Sequence, residues 1–189
     1  MDNKSYLQEH SKILNICNFE VLNEMFHEIK KNFDGDSNIF TCGNGGSAHT
    51  SEHAVTDWSK MSYILNNKKL HVYSLNSNGG ILTAFANDIE YKDIFSEQLK
   101  IYGKKNDILL AISGSGNSKN ILNAADLARS VGMKVFSFVG FDGGKLIKKS
   151  DSYFLVPSFD MQICEDIHLM AMHMIMKKLC NIKTILCEK

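Results

Sequence analysis

The chain has 189 residues, of which 44% are hydrophobic and 22% charged; these proportions build one hydrophobic core, exclude wholesale disorder and leave too little chain for a comfortable second domain. Lysine plus arginine and aspartate plus glutamate number 21 each, so no global field draws nucleic acid or an anionic membrane surface, and any phosphate has to be bound locally. Five cysteines, Cys17, Cys42, Cys164, Cys180 and Cys187, are odd in number and form no C-x-x-C pair, which argues against a disulfide framework or a zinc knuckle and for a reducing cytoplasm.

The polar start Met1-Asp2-Asn3-Lys4-Ser5 lacks a basic segment followed by an apolar run, and no stretch reaches bilayer length, so neither a leader nor a membrane span is expected. From about Tyr6 to Phe33 the apolar residues Leu14, Ile16, Phe19, Leu22, Met25, Phe26 and Ile29 recur at helical spacing. They predict one long N-terminal helix, or two broken near Asn18. After Asp34-Gly35-Asp36 come short β-prone runs: Ile39 to Cys42, Leu70 to Leu75, Ile108 to Ile112, Val135 to Val139 and Tyr153 to Val156. Each is followed by Gly, Ser or Asn and then by a helix-compatible stretch. The expected fold class is therefore α/β: one domain over residues 1–189, with a five-stranded parallel sheet sandwiched by helices and long helices at both ends. In such folds ligands sit at the carboxyl ends of the strands.

Two strand ends are notable. The first predicted strand runs into Gly43-Asn44-Gly45-Gly46-Ser47, where glycines let the backbone approach a ligand and the next helix offers free N–H groups at its positive end. The third runs into Ser113-Gly114-Ser115-Gly116-Asn117-Ser118, whose hydroxyls and amides make a nest suited to phosphate. Neither loop has the spacing of a dinucleotide fingerprint or the Gly-Lys-Ser/Thr ending of a nucleoside-triphosphate loop. A smaller phosphorylated ligand fits.

Gly43-Asn-Gly-Gly-Ser47, Asn87-Asp88, Ser113 to Ser118 and Gly140-x-Asp142-Gly143-Gly144 together resemble the sugar isomerase (SIS) domain, in its phosphoheptose isomerase branch, from about residue 5 to 180. The resemblance implies a homotetramer that isomerises sedoheptulose 7-phosphate to the aldose D-glycero-heptose 7-phosphate for surface polysaccharide such as lipopolysaccharide or capsule. It also implies that Ser47, Ser113, Ser115 and Ser118 hold the phosphate, with Gly45, Gly46 and Gly114 around it, and that Asn44 and Asp88 bind sugar hydroxyls. Gly114 stands where a threonine is usual. His53, Asp57, Glu165 and His173 fall on four zinc-coordinating positions, two of them altered: Asp57 replaces a glutamate that acts as base, and Glu165 replaces a glutamine.

Ketose–aldose isomerisation passes through an enediol, so the site needs a base near carbon, an acid near oxygen and a stabiliser of charge on oxygen, a task a divalent ion such as Zn²⁺ performs. His53 and Asp57, at i and i+4, share a helix face beside the first loop. The catalytic set expected is Asp57, Glu165 and His173, with the shorter Asp57 carboxylate drawn back by one methylene and Glu165 available to replace it as base. On helical geometry alone His168, three residues after Glu165, is a rival ligand. His49 faces either the ligand or solvent, and Trp58 either caps the pocket or packs between subunits. Two other classes stay open: a non-catalytic sugar-phosphate-binding protein or replication-initiator-associating regulator, and a sugar-phosphate sensor of the kind fused to DNA-binding modules, disfavoured here because no helix-turn-helix segment is present.

Overall fold

The computed structural model describes residues 2–181, which leaves Cys187 and the ends of the expected 1–189 domain outside the described residues. Strands β1 (Ile39–Cys42), β2 (Val72–Ser74), β3 (Ile108–Ser113), β4 (Lys134–Val139) and β5 (Ser152–Leu155) form one sheet in the order β2-β1-β3-β4-β5. Every neighbouring pair is parallel. β3 lies at the centre and is buried along its whole length, because helices cover both faces. Its side chains alternate between two cores, Ile108, Leu110 and Ile112 facing one and Leu109 and Ala111 the other, the period of two that a strand imposes. The edge strand β2 is shorter than the run Leu70 to Leu75, since its one partner is β1, itself only Ile39–Cys42.

On the first face lie α1 (Asn3–Ile16), α2 (Val21–Lys30) and the long α8 (Met161–Leu179). The helical region Tyr6 to Phe33 is thus two helices: α1 ends at Ile16, and Asn18 Oδ1 takes the N–H of Glu20 at 3.1 Å in the break. Asp2 and Asp160 cap α1 and α8 by accepting backbone N–H groups. The other face is packed by α5 (Gly79–Asp88), α6 (Ile94–Tyr102) and α7 (Lys119–Ser130).

Between β1 and β2 runs a helix in three parts: α3 (Gly46–Ala54), a π-helical turn (Val55–Lys60) and α4 (Met61–Asn66). α3 and α8 lie side by side in the same direction, Gly46 meeting Glu165 at one end and His53 meeting His173 at the other. His168 points away from this seam. Its ring packs against Phe138 and Phe154 in the core, fully buried, and neither nitrogen finds a well-formed hydrogen bond. Burial pushes its pKa down to about 4, a shift the Val139 backbone offsets only in part. As a rival metal ligand His168 is therefore ruled out by its position.

Candidate functional site

The sheet order reverses between β1 and β3, and the crevice at that switch point opens at the carboxyl ends of the two strands. A cavity of about 230 Å³ occupies it, lined by Asn44, Gly45, Gly46 and Ser47 from the first loop and Ser113, Gly114, Ser115 and Ser118 from the second. Met161 and Glu165 of α8 close the other side. Gly45 has φ of +57°, a conformation that favours glycine. The helices that start here, α3 and α7, have no side-chain cap at Gly45 or Ser118, so their first N–H groups remain available to an anion. Among the described residues no Lys or Arg lines the cavity; its neutral loop donors face one carboxylate, that of Glu165.

Neighbouring segments hold both loops. Asn76 brackets Gly43, taking its N–H at 3.1 Å and donating to its carbonyl at 2.9 Å. The serine loop leans on the turn at Gly140 to Gly144: Gly140 N–H donates to Gly114 O at 2.9 Å and Leu146 N–H to Gly116 O at 3.0 Å. A Cβ on Gly114 would lie 2.4 Å from Met161 Sδ, so where a threonine was expected the methionine thioether now occupies the space, and a larger residue would have to push that side chain aside. His49 is exposed, with Nδ1 3.1 Å from the Gly45 carbonyl.

Farther along the α3–α8 seam, three donors converge. His53 Nε2 and His173 Nε2 are 3.2 Å apart, and each is close to Asp57 Oδ2, at 3.3 Å and 3.4 Å. They form a cluster able to hold a metal ion. The shorter Asp57 side chain reaches both rings, and it does so from the π-helical turn, a wider winding that re-aims the residues it carries. Trp58, next in sequence, is fully buried and donates its indole N–H to the carbonyl of Met172 at 3.2 Å. The residues beside Asp57 and His173 are thereby bonded to each other. Trp58 is a core residue, neither a lid on the pocket nor an exposed contact.

Two expected site residues are elsewhere. Glu165 is not in the donor cluster among the described residues; its carboxylate lies against Gly46, where a Cβ would come within 2.2 Å of it. Glu165 and His173 are eight positions apart, about 12 Å along the helix axis, which keeps Glu165 beside the glycine and serine loops. Asp88 ends α5, is exposed, and accepts from the Asn87 amide at 2.8 Å. It lines neither this cavity nor the adjoining one of about 340 Å³ that Asn44 and Gly45 share with Asn76, Thr83 and Tyr91. Sequence reasoning missed the π-helical turn, the anchoring role of Trp58 and the pairing of Asn44 with Asn120. For the last, a polar residue in the first turn after the serine loop was the available signal.

Comparison with known proteins identifies the family and the fold. The SIS domain pattern matches residues 6–140. A phosphoheptose isomerase of Helicobacter pylori strain HPAG1 is 42% identical over 142 residues, covering 75% of this chain and 73% of that protein. One from Clostridium acetobutylicum is 33% identical over 173 residues, covering 91% and 88%. The solved structure of a phosphoheptose isomerase from Neisseria gonorrhoeae superposes with a TM-score of 0.81 at 29% identity, covering 93% of this chain and 91% of that one.

Proposed function

The chain belongs to the SIS domain family, in its phosphoheptose isomerase branch, and from that premise we propose how its site isomerises sedoheptulose 7-phosphate to D-glycero-heptose 7-phosphate on the way to heptose-containing surface polysaccharide. The observation that carries the proposal is the layout of the α3–α8 seam. A phosphate cradle lies at one end, and a triangle of metal-ligand atoms lies at the other. Gly46 and His53 are seven residues apart on one helical run, about 10 Å, a span suited to an extended seven-carbon phosphate.

Ser47, Ser113, Ser115 and Ser118, with the free amides of α3 and α7, hold the phosphate and so direct the carbonyl end of the sugar toward His53, Asp57 and His173. The donor set fits zinc. A tetrahedral ion with bonds of about 2.0 Å spaces its ligand atoms about 3.3 Å apart, and the separations here are 3.2 to 3.4 Å. When bound there, zinc would polarise the substrate carbonyl and stabilise negative charge on its oxygen. Asp57 turns Oδ2 to both histidines, which leaves Oδ1 as the base. That oxygen takes a proton from C1 of the ketose while O2 takes one from His173, giving the enediol; Asp57 then returns its proton to C2 as O1 gives its own to His173, which leaves the aldose and restores both groups. Glu165, at the phosphate end, faces the body of the sugar.

A homotetramer is part of the proposal. It is supported by α5, which carries Ile81, Leu82 and Phe85 yet has no fully buried residue, and by exposed Leu7, Tyr63 and Ile64. No helix among the described residues is long and apolar enough to cross a membrane. The test is to follow aldose formation from sedoheptulose 7-phosphate with metal-analysed protein. Turnover that stops on chelation and returns with zinc is expected. Absence of turnover with sugar-phosphate binding retained would overturn the catalytic assignment in favour of a binding protein.

A further inference from the structure

We infer that Asn120 and Tyr91 are positioning residues of the sugar-phosphate site, acting through Asn44 to lock its two phosphate-facing loops into one cradle; the inference rests on the isomerase assignment above. Asn44 belongs to the glycine loop after β1, and Asn120 to the first turn of α7, beyond the serine loop. Their amides pair reciprocally. Asn44 Nδ2 donates to Asn120 Oδ1 at 2.9 Å, and Asn120 Nδ2 donates to Asn44 Oδ1 at 2.8 Å. The Ile121 backbone N–H also donates to Asn120 Oδ1, at 3.0 Å. That third bond determines which end of Asn120 is oxygen, and hence which end of Asn44 is. Tyr91 completes the network by donating its hydroxyl to Asn44 Oδ1 at 3.1 Å from a ring that is otherwise 61% exposed.

Counting donors and acceptors shows what this does to the site. A primary amide offers two N–H donors and an oxygen with two lone pairs. Asn44 Oδ1 accepts from both Asn120 and Tyr91, so its oxygen is saturated, and one N–H is engaged with Asn120. What remains for a ligand is a single N–H donor. Asn44 therefore serves an acceptor, a phosphate oxygen or a sugar oxygen lone pair, and its orientation is set before the ligand arrives.

Asn120 is 2% exposed, and removing its amide would leave Asn44 held by the Tyr91 hydroxyl alone and the two loops without this bridge. Pre-ordering of this kind acts on binding more than on the chemical step, because the entropy of arranging the cradle is spent in folding. Tyr91 adds a second effect. It lines the cavity adjoining the phosphate cradle, so it ties the Asn44 amide to the segment between α5 and α6.

The test compares the parent with Asn120→Ala, Tyr91→Phe and the double variant, measuring kcat and KM for sedoheptulose 7-phosphate, competitive inhibition by inorganic phosphate, and thermal midpoint. Asn120→Ala is expected to raise KM and the phosphate inhibition constant about tenfold, the scale of one or two neutral hydrogen bonds, with kcat changed less than about threefold. Tyr91→Phe is expected to raise both about threefold. The double variant should fall clearly short of the product of the two single effects, since both residues act through Asn44. Unchanged KM in Asn120→Ala, or effects that multiply in the double variant, would overturn the inference. Tyr91→Phe alters an exposed ring and decides the question even where Asn120→Ala fails to fold. If the parent shows no turnover, the isomerase assignment fails by itself, and phosphate binding by calorimetry across the same variants still tests the network.

Discussion

The two ends of the α3–α8 seam are built on different principles. At the end proposed for the phosphate, the cavity is lined mainly by loop amides and short serine side chains at the ends of two adjacent central strands, with Glu165 opposite, positions the sheet itself largely defines. At the metal end they are the tips of three side chains carried on helices, brought together by a π-helical turn and by one buried indole hydrogen bond. A backbone site distributes its binding over many modest contacts, whereas a side-chain triangle depends on every member being within a few tenths of an ångström. The metal end should therefore be the fragile one.

The largest effect is expected from Asp57→Glu. The longer residue matches the family pattern, but the π-helical turn already brings the aspartate to 3.3 and 3.4 Å from the histidines, so an added methylene pushes the carboxylate past its place. A displacement near 1 Å corresponds to about a hundredfold loss in kcat. Inhibition by inorganic phosphate should stay at the parent value; weakening of both together would show that the two ends are not separable.

His168 probes what the ends share, since it anchors the middle of α8 in the core. With a folded pKa of about 4 against about 6.5 in the unfolded chain, the unfolded state takes up the proton first as pH falls. The stabilising contribution is thus complete above about pH 6.5 and is lost between there and about pH 4, to the extent of about 3 kcal/mol. His168→Phe should remove this component. Urea midpoints of the two proteins from pH 7.5 to 4 will show parallel curves if the ring is not the cause.

Trp58→Phe keeps the buried ring and deletes the bond to Met172. Zinc affinity is expected to fall about tenfold, as for loss of a group that orients a ligand, with phosphate inhibition unaffected; chelator competition measures it. Ser47→Ala, at the other end, should do the reverse and less. KM should rise about fivefold, one hydroxyl's worth of hydrogen bonding, while metal content stays constant.

Much of the phosphate end was legible in the sequence because a strand, a glycine or serine loop and a helix start are contiguous in the chain. Eight of the nine substrate-binding residues expected there do line one cavity. Asp88 does not, since it sits at the far end of α5. At the other end of the seam His53, Asp57, Glu165 and His173 were named together from the family resemblance, and only the first, second and fourth converge. Gly46, lacking a side chain, leaves the space that Glu165 fills, and that vacancy is visible only when α3 and α8 are laid together.

What the sequence determined by itself is the alternation of apolar strands with glycine- and serine-ended loops, hence the parallel sheet, its layers and the strand ends where those loops meet, because these follow from local backbone preferences and a period of two or 3.6. Tertiary structure alone decided which residues of distant helices meet. The Asp57–His53–His173 triangle, the Asn44–Asn120 pair and the burial of His168 all join groups far apart in the chain, and only packing of α3, α7 and α8 on the sheet brings their tips within hydrogen-bonding range or seals them from water.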